Sequence, residues 1–268
     1  MRFTKMNGAG NDFLVIDNRA LSLSPDELSA TAVKLCNRQF CLGADGMIVI
    51  ENAWGQGDYR MTFYNRDGSL GEMCGNGARC VCRWGYENGL AGETQQVETT
   101  AGMVTGQRID ATHYRIRLND VTVLTPMDGL TYVELGNPGI PHAVVNLPGF
   151  RNLPESELFA LGRKLRYDSR FPRGANVNFY EWTGKNAIAA RTWERGVEDF
   201  TLACGTGAGS LCAALTSAGL TDGPLTVRMP GGTLTVEAVS VNGRVKELYL
   251  TGPAMLVASG EIYPDEIQ

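Results

Sequence analysis

Short apolar runs of strand length recur along this chain, and segments with helical signatures interrupt them. Phe13-Leu14-Val15-Ile16 is the first such run, and Ala143-Val144-Val145 is its later counterpart. Ser24-Pro25-Asp26-Glu27 then opens a helix: an N-cap serine, proline at the first helical position and glutamate at the third make a capping box. Pro154-Glu155-Ser156-Glu157 opens the equivalent helix. Met47-Ile48-Val49-Ile50 and Arg60-Met61-Thr62-Phe63-Tyr64 predict strands, as do Val177-Asn178-Phe179-Tyr180 and Ile188-Ala189-Ala190-Arg191-Thr192-Trp193. A second helix begins at Cys74 in one half and at Cys204 in the other, and stops at Gly89 or Gly219. Strands at Met103-Val104-Thr105 and Arg115-Ile116-Arg117-Leu118 close the first half. Leu234-Thr235-Val236 and Glu247-Leu248-Tyr249-Leu250 close the second. Strands around a central helix in each half predict an α+β fold, each half a mostly antiparallel sheet wrapped around its helix.

The two halves repeat one another. Cys74-Gly75-Asn76-Gly77-Ala78 returns as Cys204-Gly205-Thr206-Gly207-Ala208, at an offset of 204 − 74 = 130. The same offset relates Glu27-Leu28 to Glu157-Leu158, Lys34-Leu35 to Lys164-Leu165, Cys82 to Cys212 and Gly102 to Gly232. Two copies of that length predict a duplicated domain rather than a solenoid. The expected domains are residues 1–120 and 121–268, with a boundary near Asp120 to Gly129. The tail after Gly252 is free to return to either half.

Composition narrows the function classes. The 268 residues are 43% hydrophobic and 20% charged, as in a globular protein. A net charge of −5 and the lack of a basic stripe argue against a nucleic-acid partner. No apolar run approaches the ~20 residues of a membrane span, and no signal-peptide core follows Met1, so the expected location is cytoplasmic. Seven cysteines, an odd count, argue against a disulfide framework in a reducing compartment. Without a Cys-x-x-Cys pair, and with only His113 and His142 to add imidazole, no metal site is expected.

The repeated cysteines carry the candidate chemistry. A helix begins with backbone N–H groups that lack partners and with a partial positive charge. Cysteine there tends to a lowered pKa, and adjacent glycines let an anion approach the amides. Two such starts across an interdomain cleft would grip one carboxylate, with a sulfur on each side of the neighbouring carbon. One sulfur as thiolate would remove an α-proton, and the other as thiol would return a proton to the opposite face. The helix starts would stabilise the carbanion, so this chemistry needs no cofactor. Cys36, Cys41, Cys80, Cys82 and Cys212 read instead as small core hydrophobes.

These residues carry a resemblance to the diaminopimelate epimerase family. Phe3-Thr4-Lys5-Met6 through Gly10-Asn11-Asp12-Phe13, Gly43-Ala44-Asp45-Gly46, and Asn65-Arg66-Asp67-Gly68-Ser69 leading to Met73-Cys74-Gly75-Asn76-Gly77-Ala78-Arg79-Cys80 resemble its motifs. Pro141-His142, Asn176-Val177-Asn178-Phe179, Glu194-Arg195-Gly196-Val197 and Ala203-Cys204-Gly205-Thr206-Gly207 follow in the family's order. The resemblance implies a pseudo-symmetric two-domain fold and cofactor-independent inversion of L,L-diaminopimelate to the meso isomer, used for lysine and peptidoglycan. It implies Cys74 and Cys204 as bases, and Gly75, Asn76, Gly205 and Thr206 as backbone donors to the reacting carboxylate. Asn11, Asn65, Asn176, Glu194 and Arg195 would hold the distal amino-acid group, and His142 and Glu194 would tune the thiols. A homodimer is also implied.

The chain departs from the family pattern at Asn7, Ile140 and Phe200, where many members carry histidine, asparagine and an acid. Ile140 and Phe200 favour an alternative substrate on the same fold, as in a histidine racemase. Proline racemases have histidine where this chain has Asn76. A non-catalytic binding protein would have little reason to keep a cysteine at both helix starts, a thiol redox protein would join Cys74 and Cys204 in a regulatory disulfide, and replacing either with serine separates those cases.

Overall fold

The computed structural model describes residues 1–71 and 74–263; Met73, quoted above with its motif, lies outside the described residues. The chain divides into two compact units, residues 1–116 with the tail from 252, and residues 117–251. The first unit holds β1 (Arg2–Gly8), β2 (Asn11–Asp17), α1 (Pro25–Leu35), β3 (Gly46–Glu51), β4 (Tyr59–Asn65), α2 (Gly75–Glu87), β5 (Thr94–Thr99), β6 (Gly102–Arg108) and β7 (His113–Arg117). The second holds β8 (Val121–Met127), β9 (Leu130–Leu135), β10 (Ile140–Asn146), α3 (Glu155–Arg166), β11 (Asn176–Gly184), β12 (Ala187–Glu194), β13 (Asp199–Thr201), α4 (Gly205–Ser217), β14 (Leu225–Met229), β15 (Gly232–Val241) and β16 (Arg244–Pro253). The last strand, β17 (Met255–Glu261), belongs to the first unit. Among the described residues no helix is long and apolar enough to cross a membrane.

Each unit is α+β, and strand pairing follows one plan in both. In the first, the order is β17-β1-β2-β3-β4-β5-β6-β7, antiparallel except for β2–β3 and β4–β5. In the second, β8-β9-β10-β11-β12-β14-β15-β16 is antiparallel except for β10–β11 and β12–β14. β13 adds a short antiparallel partner to β12. The repeats exchange their last strands. β8 closes the first repeat in sequence yet pairs with β9 of the second unit, and β17 closes the second repeat yet pairs with β1. The region expected to hold the domain boundary, Asp120 to Gly129, is therefore mostly a strand. Their half-exposed pattern, with Pro126 at the hairpin end, hides the strand in the sequence.

The helices differ by position. On α1 the buried residues are Leu28, Thr31, Ala32 and Leu35, a single stripe at helical spacing. Its start is the expected capping box: Ser24 accepts from the Glu27 amide, and Glu27 reaches back to the Ser24 amide. That stripe packs on Leu14, Ile16, Met47 and Val49 of β2 and β3. α2 and α4 are instead buried almost all round: Asn76 to Cys82 without a break in one, Gly207 to Leu215 in the other. A helix buried on all sides is the centre of its unit. Both stop where a glycine takes positive φ, 69° at Gly89 and 67° at Gly219. Burial of β2 on both faces follows, since alternate residues Phe13 and Val15 meet the side that α2 covers.

Candidate active site

Cys74 is the N-cap of α2 and Cys204 the N-cap of α4, so each sulfur sits where a helix offers its unpaired amides. The two starts are built differently.

In the first unit Cys74 is half-buried, and its side chain makes no cap bond. Asn76, 3% exposed, donates from Nδ2 to Asn11 Oδ1 at 2.7 Å. Asn11 donates in turn to Asp45 Oδ2 at 3.0 Å. Asp45 belongs to an ionic cluster with Arg38, Asp12 and Lys5. Burial raises the Asp12 carboxyl, but Arg38 and Lys5 outweigh it and hold the group at about 2. β1 ends against the helix so closely that a Cβ on Gly8 would lie 2.8 Å from the Asn76 carbonyl. The structure thus brings Asn11, Gly75 and Asn76 together beside Cys74. Asn65 serves the turn after β4, where its Nδ2 donates to Ser69 Oγ at 3.0 Å.

In the second unit Cys204 is 8% exposed, and its sulfur accepts from the Gly207 amide at 3.3 Å. Thr206 Oγ1 lies 3.5 Å from the same sulfur. Burial first, then the charge of Glu194, raises the thiol well above its ordinary value, against the opposing Thr206 and Gly207 contacts. The lowered pKa expected at a helix start is therefore not met at Cys204, because desolvation and a carboxylate outweigh the helix. Glu194 is itself raised by burial, which the Thr201 hydroxyl and the Cys204 thiol oppose. Thr201 donates to Glu194 Oε1 at 2.6 Å.

His142 is 0% exposed, and burial pushes its imidazole down to about 3, so the ring is neutral. Its Nδ1 lies 3.2 Å from Asn178 Nδ2. The Asn178 oxygen accepts from Thr192 Oγ1 at 2.9 Å and packs against Gly207, where it would clash with any Cβ. His142 thus reaches the Cys204 helix start through Asn178. Asn176, 7% exposed, ties strands together: its oxygen accepts from the Arg195 amide at 2.8 Å and its Nδ2 donates to the Pro141 carbonyl at 3.1 Å. Arg195 is exposed and donates to the Arg173 carbonyl.

Phe200 does not stand where an acid would serve this site. Its ring packs on Trp193 and Phe179 in the core under α3, and Thr201 beside it supplies the polar contact to Glu194. Sequence reading missed Asp12, Asp45, Thr192, Thr201 and the linking part of Asn178. One signal was present: asparagines at 176 and 178 share a face at the start of a strand, alternating with the apolar Val177 and Phe179.

The diaminopimelate epimerase family model matches residues 3–123 and 135–257. A diaminopimelate epimerase from Caldanaerobacter subterraneus is 36% identical over 286 residues, covering 98% of this chain and 99% of that protein. One from Archaeoglobus fulgidus is 34% identical, covering 99% and 98%. Among solved structures, a PhzF-family phenazine biosynthesis protein from Bacillus anthracis superposes with a TM-score of 0.75 at 16% identity, covering 98% of this chain and 99% of that one. A probable proline racemase from Agrobacterium radiobacter gives 0.68 at 17% identity, covering 98% and 93%. At those identities the structures show a shared fold. With a family model across both repeats and full-length relatives above one-third identity, the chain belongs to the diaminopimelate epimerase family.

Proposed function

We propose that this protein is an isomerase that epimerises L,L-diaminopimelate to the meso isomer without a cofactor, using Cys74 and Cys204 as its two bases. The observation that carries this reading is the pair of cysteine N-caps on α2 and α4, one per repeat. One sulfur, ionised, takes the α-proton. The electron pair left on carbon is stabilised by the substrate carboxylate and by helix amides at Gly75, Asn76, Gly205 and Thr206. The other sulfur, as thiol, gives its proton to the opposite face and is left ionised, ready for the reverse direction. Glu194 supports Cys204 as the proton donor, because a carboxylate beside a thiol opposes its ionisation. In this reading His142 acts on the same sulfur through Asn178, and Asn11 fixes Asn76. Asn65, Asn176, Glu194 and Arg195 hold the distal amino-acid group. A cytoplasmic homodimer completes the proposal, and light scattering coupled to gel filtration tests the dimer.

Proton exchange tests the activity. The enzyme is incubated in D2O, reduced and without added cofactor, with L,L-diaminopimelate, L-histidine, L-lysine or L-proline. Deuterium should enter diaminopimelate alone, with conversion to the meso form. Exchange of histidine but not diaminopimelate would keep the two thiols and replace the substrate. No exchange of any of the four would refute the reading.

A further inference from the structure

Arg79 lies in the second turn of α2 and is 0% exposed. A guanidinium withdrawn from water needs an anion or a full set of acceptors. Among the described residues Arg79 has two: it donates to Asn76 Oδ1 at 2.7 Å and to the Gly75 carbonyl at 3.3 Å, while its Nε meets no acceptor there. Among the described residues no carboxylate pairs with it. Both acceptors belong to the first turn, so the charge is directed at the start of the helix.

The groups that feel this charge are thiols. Burial lowers the guanidinium from its usual value, and Cys80, Cys74 and Cys82 act in the other direction. Burial also pushes Cys80 and Cys82 up to about 12, so both are neutral at physiological pH. Cys74 is the half-buried one of the three. Among the described residues, the other charged groups on strands packed against α2 pair elsewhere: Arg2 and Lys5 of β1 with Glu261 and with Asp12 of β2, Asp17 of β2 with Arg19, and Arg108 of β6 with Glu93. Behind α2, the Tyr59 hydroxyl of β4 is raised well above its usual value by burial, and stays neutral.

The second repeat supplies an internal control. The position equivalent to Arg79 is Gly209, where a Cβ would already lie 2.6 Å from Leu118. The position equivalent to Glu194 is Tyr64, 3% exposed. A buried cation stands behind one cysteine, and a carboxylate stands against the other.

We propose that Arg79 is a positioning residue that holds negative charge at the start of α2, on the Cys74 sulfur between turnovers and on the substrate carboxylate during them. This rests on the two-thiol reading above. The test uses the full chain without substrate and the variants Arg79→Met, Arg79→Gln and Arg79→Lys. Iodoacetamide modification of Cys74 and Cys204 is followed by peptide mass spectrometry from about pH 5 to 10, with near-ultraviolet circular dichroism to verify folding. In Arg79→Met and Arg79→Gln the Cys74 profile should move up by about one unit, slowing its modification at neutral pH about tenfold. The Cys204 profile should stay in place, and Arg79→Lys should restore most of the Cys74 profile. An unmoved Cys74 profile in a folded neutral variant would overturn the proposal, and so would an equal shift at Cys204. Where the neutral variants do not fold, Arg79→Lys decides: a near-wild-type Cys74 profile supports the proposal and a full upward shift overturns it. Alkylation needs no turnover, so this result is independent of the D2O exchange that tests the activity.

Discussion

Cys74 and Cys204 take nearly the same backbone conformation, φ −107° and ψ 114° in the first unit against φ −118° and ψ 113° in the second. Their surroundings have diverged. The first-turn glycine of α2, Gly77, faces the methyl groups of Ile48 and Met61, whereas Gly207 of α4 faces the polar atoms of Asn178 and Thr192. Behind α2 stands the buried Arg79, and against Cys204 stands Glu194. Both repeats keep the frame that presents a sulfur at a helix start, and under the proposal above side chains of opposite charge give each sulfur its own protonation state. A two-base inversion requires that division, because two thiols or two thiolates at once would leave it without a base or without an acid.

Removing either sulfur should have the largest effect. Cys74→Ser and Cys204→Ser should each lower the epimerisation rate about 10³-fold or more, the scale of a positioned acid or base. A variant that kept full activity would break the pairing of the two halves.

Acid should separate the units next. His142 has a folded pKa of about 3, below its unfolded value, so the unfolded chain binds more protons through that window. The stability tied to neutral His142 is present above about pH 6.5 and is lost as pH falls toward 3, at about 1.4 kcal/mol per unit. In the first unit Asp12, held at about 2, contributes stability that is lost only below its unfolded value near 3.8. Hydrogen exchange near pH 5 should therefore show protection falling in the second unit before the first, and the reverse order would contradict this.

The slot beside each helix gives a smaller contrast. Gly207→Ala would drive a methyl into the Asn178 amide and to 2.9 Å from Thr192 Oγ1, and should cost about 1–3 kcal/mol by denaturant melting. Gly77→Ala meets flexible methyl groups at 3.2 and 3.3 Å, and should cost about 1 kcal/mol or less, since alanine favours the helix. Equal costs would mean that the polar slot is not tighter.

Glu194→Gln should act in the opposite sense to a loss of Arg79. Removing the carboxylate's charge should lower the Cys204 pKa and raise its alkylation rate at neutral pH about tenfold for each unit, with Cys74 unchanged.

The parts of this account that were legible in the sequence are those carried by spacing. The repeated cysteine-glycine starts, the Ser24 capping box and the doubly buried apolar strands each bear a local signature, and each formed where expected. β1 was not legible, because in Arg2–Gly8 only Met6 and Gly8 are buried and polar residues intervene. β8 and β17 were hidden by exposure, and their exchange between repeats depends on partners far away in sequence. The burial of Arg79 was not legible, since nothing local marks a charge as buried. Phe200 was placed by analogy at an acid's position, but packing against Trp193 decides where its ring lies. Side-chain partners across strands, such as Asn178 with Thr192, emerge only once register is known.

The most direct test of the central claim is a ¹³Cβ titration of cysteine-labelled, substrate-free enzyme, with resonances assigned through the two serine variants. It reads ionisation without needing reagent access. Cys74 should ionise at a pH clearly below Cys204, which should remain a thiol well beyond neutrality. Coincident titrations, or Cys204 ionising first, would contradict the division of roles between the two halves.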